Sequence, residues 1–453
     1  MVKYAYEEVG FMIQLPEKVK KIISVLNTHG HEAFAVGGCV RDSLLGREPN
    51  DWDLCTSASP DEMRTAFVGF RVIETGLLHG TLTVLIDGEA FEITTYRIDG
   101  EYSDGRRPDD VTFTRNLKED LARRDFTVNA MAYNDEAGLI DPFDGQTDLA
   151  AGLLRCVGDP LRRFTEDSLR ILRCIRFASQ LDYIIENSTV DAMYECLPLL
   201  KRVASERIRI EFEKLLCGPA AFRVLEAHRE IIADFIPEIR PMFDLDQKNN
   251  YHIYTVWDHT LHVVAHSPAE PVLRLTAFFH DIGKPATMTV TEDGWGHFYK
   301  HEHKSAELTD QIMRRLKYDN DTREAVVHVI DSHGIIFQQT QRHARRCLAR
   351  LGEPRLRMLI ELELADVKSQ NPVYTLERVA NISAFSDIVD EVLAAEQCFS
   401  IRNLAVSGRD LMAAGIPQGP EIGRILKNLL ESVIDEKLPN EKDTLLAEAL
   451  KVK

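Results

Sequence analysis

From about residue 149 to its end, the sequence sets apolar residues at helical spacing with few competing strand signals, whereas the residues before that point alternate strands, glycine turns and helices. A chain that changes period in this way reads as a small α/β head followed by a long helical body. In the head, residues 16–29 read as an amphipathic helix and 33–36 as a short strand running into Gly37-Gly38. Residues 40–45 read as the next helix and 51–55 as a strand. Ser59-Pro60-Asp61 offers a helix cap followed by proline at the first helical position. Residues 81–86 and 91–96 are β-rich and separated by Asp87-Gly88-Glu89, a hairpin signal. Gly218-Pro219 and the polar stretch 244–250 are candidate boundaries, and 453 residues suggest two to four domains.

No apolar run reaches the ~18 residues that a membrane helix needs, and residues 1–15 lack the order of a signal peptide. The eight cysteines are scattered without a CxxC pair, which points to reduced thiols and a cytoplasmic setting. A net charge of −18 argues against coating nucleic acid by charge alone. It leaves room for a local basic surface, and residues 155–176 hold six arginines against Asp159, Glu166 and Asp167.

Asp51 and Asp53, two apart on a predicted strand, point to the same side. Like charges so placed repel unless a cation lies between them, and paired carboxylates are what two-metal phosphoryl transfer with Mg²⁺ requires. Glu92, on the neighbouring predicted strand, is the candidate third ligand. A lone DxD is more often a surface turn. Here Gly37-Gly38-Cys39-Val40-Arg41-Asp42 precedes it, so a glycine turn and a helix start could receive phosphate, with Arg41 adding a charged contact. The plainer alternative is a tight turn that packs helix on strand.

Gly37-Gly38-x-x-Arg41-Asp42 followed by Asp51-x-Asp53 resembles the signature of the class II tRNA nucleotidyltransferase and bacterial poly(A) polymerase family, within the polymerase-β-like superfamily. Four further motifs follow in the family's order: Arg123-Arg124-Asp125-Phe126-Thr127-Val128-Asn129-Ala130, Asp141-Pro142-Phe143-Asp144-Gly145, Glu166-Asp167-x-x-Arg170-x-x-Arg173 and Ser205-Glu206-Arg207-Ile208. The resemblance covers roughly residues 20–240. It implies an α/β nucleotidyltransferase head at 1–148 and an all-α neck and body at 149–240. A metal domain at 245–375 and a helical, tRNA-binding tail at 376–453 complete the expected order. The implied reaction is template-independent addition of CCA, or the terminal A, to the 3′ end of tRNA from CTP and ATP.

Asp167 and Arg170, three apart on a predicted helix, are adjacent on its surface. Cytosine and adenine both present an amino donor beside a ring-nitrogen acceptor; guanine and uracil present the reverse. A carboxylate with a guanidinium therefore suits C and A, and a wrong base leaves buried polar groups unpaired. On a helical wheel Asp167, Arg170, Arg173 and Arg176 fall on one half and Ile171, Leu172 and Ile175 on the other. By resemblance Arg124, Arg173 and Arg176 serve the triphosphate or its surroundings. An ordinary ion pair on a solvated helix is the alternative for Asp167 and Arg170. Residues 97–116, with Arg97, Arg106, Arg107 and Asp109, read as a long polar loop. In the family such a loop accompanies addition of the terminal A.

His280-Asp281-Ile282-Gly283-Lys284 follows an apolar run, with His259 upstream and His301, His333 and Asp366 downstream. This order resembles the HD phosphohydrolase superfamily, which implies a second divalent metal on His259, His280, Asp281 and Asp366, with His301 and His333 free for another. Mixed nitrogen and oxygen ligands leave its identity open. Two rival functions stand beside CCA addition: poly(A) addition, or an HD phosphohydrolase whose head is a nucleotide-binding regulator.

Overall fold

The computed structural model describes residues 13–76, 80–100 and 111–451. Arg106, Arg107 and Asp109 of the expected loop lie outside them. The chain forms two compact units, Met1–Ala220 and Ala221–Lys453. That division follows directly on the expected Gly218-Pro219 break and falls inside the segment 149–240.

The first unit opens with α1 (Glu17–Thr28), which buries Val19, Ile22, Ile23 and Leu26. Then come β1 (Ala33–Val36), α2 (Gly38–Leu44), β2 (Leu54–Thr56) and α3 (Pro60–Ala66). The strands β3 (Arg71–Gly76), β4 (Thr81–Ile86) and β5 (Glu89–Thr95) follow, then a short ribbon of β6 (Arg97–Asp99) and β7 (Val111–Phe113). α4 (Leu117–Ala122), β8 (Ala132–Asn134) and β9 (Gly138–Ile140) complete the head. Its seven-stranded sheet has the order β3-β4-β5-β2-β1-β8-β9, with β2 parallel to β5 and the other neighbours antiparallel.

Local chemistry explains several elements. Ser59 and Glu62 form a reciprocal capping box ahead of α3, with Pro60 in the first turn. Asp87 and Gly88 both take positive φ, 51° and 82°, as a two-residue hairpin turn between β4 and β5 demands. Phe34, Val36, Cys55, Tyr96, Leu121, Ala130, Ala132 and Val157 form one buried cluster under the sheet.

Helices dominate from there: α5 (Gly145–Ala151), α6 (Pro160–Glu166), α7 (Leu169–Leu181), α8 (Asn187–Cys196) and α9 (Ser205–Leu216). Ile171, Leu172 and Ile175 of α7 are buried, as the wheel requires, and so is Arg176.

Among its described residues the second unit is helical apart from one two-stranded ribbon. It runs through α10 (Ala221–Ala227), α11 (Arg229–Phe235), α12 (Val256–His266), α13 (Pro271–Phe279), α14 (Lys284–Thr287), α15 (His301–Arg315) and α16 (Asn320–Asp331). It continues through α17 (Gln341–Leu351), α18 (Glu353–Lys368), α19 (Pro372–Ala394), α20 (Gly408–Ala413), α21 (Pro420–Ile434) and α22 (Lys442–Lys451). The last three share an apolar core of their own, centred on Leu411, Leu429 and Leu445.

Three expectations are corrected. The strand read at 51–55 begins only at Leu54; Val36 N–H still donates to Asp53 O at 3.0 Å, but Asp51 lies beyond the ladder. The polar loop at 97–116 is strand at both ends, Arg97 pairing with Phe113 and Asp99 with Val111. Asp167 is not on a helix. It sits in extended backbone (φ −138°, ψ 101°) between α6 and α7. Among the described residues no helix is long and apolar enough to cross a membrane.

Candidate functional sites

The head builds its site on a glycine. Gly37 ends β1 at φ 84°, a conformation that side chains disfavour. A Cβ placed there would lie 2.8 Å from Nη1 of Arg124. Gly38 is less constrained, since its nearest neighbour to a Cβ is Arg41 Nη2 at 3.7 Å. Arg41 is buried and occupied: Nη1 donates to Asn129 Oδ1 at 2.6 Å, while Nε and Nη2 donate to Asp42 at 2.9 and 3.0 Å.

Asp51 and Asp53 both open to solvent. Protein mass on the inner side of Asp53 raises its carboxyl above the usual range; Arg124 opposes this, and the charge of Asp51 adds to it. Leu54 pairs with Ile93 in the parallel β2–β5 ladder. The next residues outward on the two strands are therefore Asp53 and Glu92, and Glu92 is exposed.

Three consecutive residues join this end of the sheet to α7. Arg123 offers its carbonyl to Arg170 Nη2 at 2.9 Å. Arg124 reaches the Gly37 turn and acts on Asp53. Asp125 takes Arg173, and Asn129 Nδ2 donates to its other oxygen at 3.1 Å.

Asp167 and Arg170 are held by other partners. Asp167 Oδ1 accepts the Leu169 N–H at 3.0 Å, and its Oδ2 takes Arg207 Nη2 at 2.9 Å. Arg170 Nη1 reaches Glu166 Oε2 at 2.8 Å. Arg176 is buried against Glu211, with Nε 2.8 Å from Oε2, and burial pushes its guanidinium down to about 10. Glu166 and Arg170 are four apart, a spacing at which helical side chains meet. Residue spacing gave no sign of the Arg176 and Asp167 partnerships, and the only signal for Arg207 was its place in the last of the five motifs.

The second unit gathers all four residues of the expected metal set. α12 supplies His259, the turn after α13 supplies His280 and Asp281, and α18 supplies Asp366. His259 Nε2 lies 2.8 Å from Asp366 Oδ1 and 3.5 Å from Asp281 Oδ2, and His280 Nε2 lies 3.1 Å from Asp281 Oδ2. On the other side of Asp281, its Oδ1 faces Nε2 of His301 at 3.4 Å and of His333 at 3.9 Å. Two candidate metal-binding groups thus share Asp281: His259, His280, Asp281 and Asp281, His301, His333.

Each of these histidines turns Nδ1 to a backbone carbonyl: Ser369, Ala277, Phe298 and Ile330 respectively. For His259 and His280 that favours the Nδ1–H tautomer and leaves the Nε2 lone pairs facing carboxylates. Nε2 of His301, by contrast, lies 3.0 Å from Nε2 of His333, so one of that pair carries a proton there. Nε2 of His259 and of His280 is buried with no hydrogen-bond partner. Acceptors facing acceptors call for a cation. Burial also pushes His301 down to about 4, so it is neutral at physiological pH, the form that binds metals.

Lys284 closed the motif that starts at His280 without a role of its own, and Gln247 and Glu363 escaped sequence reasoning. Lys284 Nζ sits 2.7 Å from Asp281 Oδ2 and donates to Gln247 Oε1 at 2.7 Å. Glu363, one helical turn before Asp366, is buried and accepts the Gly334 N–H; burial pushes its carboxyl up to about 7. A pocket of about 750 Å³ opens over these groups, lined also by Tyr251, Trp295, Tyr299 and Arg378.

Residues 33–155 match the model of the "Poly A polymerase head domain". Residues 182–241 match a "probable RNA and SrmB-binding site of polymerase A", and 287–449 match tRNA nucleotidyltransferase domain 2. The CCA-adding enzyme of Levilactobacillus brevis is 36% identical over 434 residues, covering 95% of this chain and 96% of that protein. That of Leuconostoc mesenteroides is 32% identical over 437 residues, with 95% and 96% covered. The crystal structure of the Bacillus stearothermophilus CCA-adding enzyme in complex with CTP aligns with a TM-score of 0.72 at 27% identity, covering 97% of this chain and 98% of that one. The Thermotoga maritima CCA-adding enzyme complexed with tRNA aligns at 0.58 and 19% identity over 98% and 97%, a likeness of fold.

Proposed function

The chain belongs to the CCA-adding enzyme family, and from that premise we propose that it adds C and A to the 3′ end of tRNA, using CTP and ATP. The observation that carries this reading is the segment 123–125, whose three residues touch the carboxylate end of the sheet on one side and Arg170 and Arg173 on the other.

Asp51 and Asp53, with Glu92 beside them, would hold Mg²⁺. An all-oxygen set of neighbouring, solvent-open carboxylates suits a hard cation. Bound there, such ions supply charge neutralisation for the attacking hydroxyl and the leaving phosphate. The chain's own residues do the rest. Gly37 keeps the turn open for Arg124, and Arg41, Arg124 and Arg173 surround the triphosphate with positive charge. Arg176 supports that surface from within. Asp167 accepts from the amino group of C or A while Arg170 donates to the ring nitrogen; Arg207 and Glu166 fix the two side chains. Arg97 and the loop that follows it would serve addition of the terminal A. Eight free cysteines, seven of them buried, fit a reduced cytoplasmic setting.

A second reading concerns the other unit. The unpartnered imidazole nitrogens of His259 and His280, aimed at Asp281 and Asp366, favour an HD-type divalent metal site with room for phosphohydrolase chemistry.

The decisive experiment incubates the purified chain with Mg²⁺, single or paired nucleotides, and tRNA ending before CCA, CA or A. Extension that stops at CCA is the expected result. Absence of any lengthening overturns the proposal, and long A tracts on unrelated RNA transfer it to poly(A) addition. Activity restricted to phosphate release, and lost in Asp281→Asn, transfers it to the HD site.

A further inference from the structure

Phe177 lies on α7, and its ring is almost buried, with 7% exposed. Three guanidinium groups surround that ring. The Cζ atom of Arg176 lies 3.9 Å from the centroid, that of Arg41 5.0 Å and that of Arg173 5.4 Å. Phe126 meets the ring edge-on at 5.8 Å, which fixes its plane. Each arginine has its own carboxylate: Asp42 for Arg41, Asp125 for Arg173 and Glu211 for Arg176. These acids come from α2, the 123–125 segment and α9. The ion pairs neutralise the arginines one by one; Asn129, which accepts from Arg41 and donates to Asp125, links Arg41 to the partner of Arg173, and Arg173 and Arg176 share α7. The shared ring adds a second link among all three, because a guanidinium is drawn to an aromatic face.

We infer that Phe177 is a positioning residue for nucleotide binding, its ring acting beside the Asn129–Asp125 link to hold Arg41 of the glycine turn against Arg173 of α7 so that both meet one triphosphate. The inference rests on the reading of Arg41 and Arg173 as triphosphate contacts given above. An aromatic residue placed only to fill space would be replaceable by any apolar side chain of similar volume. A ring used for its face is replaceable only by another ring.

The test measures equilibrium binding of Mg-CTP and Mg-ATP to the full chain and to Phe177→Leu, Phe177→Met and Phe177→Tyr, with thermal melting of each. Leu and Met keep the apolar contact and lose the π face; Tyr keeps both. The expected result is about tenfold weaker binding of both nucleotides by the Leu and Met variants. Phe177→Tyr should stay within about twofold of the parent. The ratio of C and A to G and U incorporation should not move, because Arg207 and Glu166 hold Asp167 and Arg170. Equal binding by parent, Leu and Met variants overturns the inference, as does an equal loss in Leu, Met and Tyr variants, which would mark a purely structural ring. If Phe177→Leu does not fold, the Met and Tyr pair decides alone. A parent that binds neither nucleotide overturns the triphosphate reading itself, a result distinct from variants that bind as the parent does.

Discussion

The carboxylate of Asp125 receives both Nε and Nη2 of Arg173, at 2.8 and 2.6 Å, across 48 residues of sequence. This forked pair fastens the head's RRD segment to α7. It also explains why the segment is read best as a unit: its first residue holds Arg170 by a carbonyl, its second faces the glycine turn, and its third anchors the helix.

Asp125→Asn should therefore destabilise the first unit. Removing one partner of a buried pair strands the other, and after discount for the half-buried Arg173 the cost at neutral pH is about 2–3 kcal/mol. Burial alone would raise the Asp125 carboxyl, but Arg173 and Asn129 hold it well below the usual range. A depressed folded pKa contributes stability above the unfolded value of roughly 4, and that contribution is lost as pH falls below it. Urea denaturation of parent and variant at pH 7 and pH 3 checks this. The gap between them should narrow at pH 3, and a constant gap refutes the assignment.

Much of this architecture could be read from the sequence because it is local. The Ser59–Glu62 cap, the Asp87-Gly88 turn and the apolar stripe of α7 each depend on residues a few places apart. Even the second unit's candidate metal set could be ordered along the chain. What could not be read depends on side chains that meet only in the fold. Asp167 sits on a helix if periodicity alone is followed. In the structure it caps the Leu169 N–H in a break between α6 and α7, the job for which aspartate is suited at a helix start. Spacing suggested that Asp167 and Arg170 face each other, whereas Arg207 and Glu166 hold them separately. Arg176 lay on the charged half of the wheel yet is buried, because Glu211 and the Phe177 ring meet it there.

Arg170→Ala should loosen the choice of base more than it lowers metal or tRNA binding. Selection by hydrogen bonding is strong because a wrong base leaves buried groups unpaired. Removal of the donor should reduce the preference for C and A over G and U by about 10²-fold or more. Glu166→Gln should produce a smaller loss in the same direction, since a neutral amide oxygen holds Arg170 less firmly than the carboxylate does, beside the carbonyls of Arg163 and Arg123. Competition between labelled nucleotides at a tRNA lacking its last three residues measures both. Unchanged selectivity in Arg170→Ala defeats the pairing-edge proposal.

The second unit should bind a divalent cation and be stabilised by it. Protein stripped with chelator should melt at higher temperature when Mn²⁺, Zn²⁺ or Mg²⁺ is returned. A cation present at a hundred times its dissociation constant adds about 2.7 kcal/mol. Asp281→Asn should lose that response, because Asp281 belongs to both candidate groups. Titration calorimetry on the two proteins is the check. A parent whose melting and heats ignore all three cations would remove the metal reading, and would leave two buried imidazole nitrogens unexplained.

Glu363 gives the last prediction, and its sign is opposite to that of Asp125. Its carboxyl is raised from 4.5 to about 7 by burial, with Asp366 adding to the effect. In metal-free protein the folded state keeps this proton over a range in which the unfolded chain has released it. The unfolded state then binds fewer protons, so stability falls as pH climbs from about 4.5 to about 7 and levels off above. At about 1.4 kcal/mol per unit, the full loss is about 3 kcal/mol. Glu363→Gln carries no titrating proton and keeps an amide oxygen for the Gly334 N–H. It should match the parent at pH 5 and exceed it by up to about 3 kcal/mol at pH 8. Urea denaturation of both proteins in chelator at the two pH values decides the matter, because every other titrating group is common to the pair. If the two stability curves run parallel from pH 5 to pH 8, Glu363 is ionised in the folded chain and its burial is offset by a partner other than Gly334.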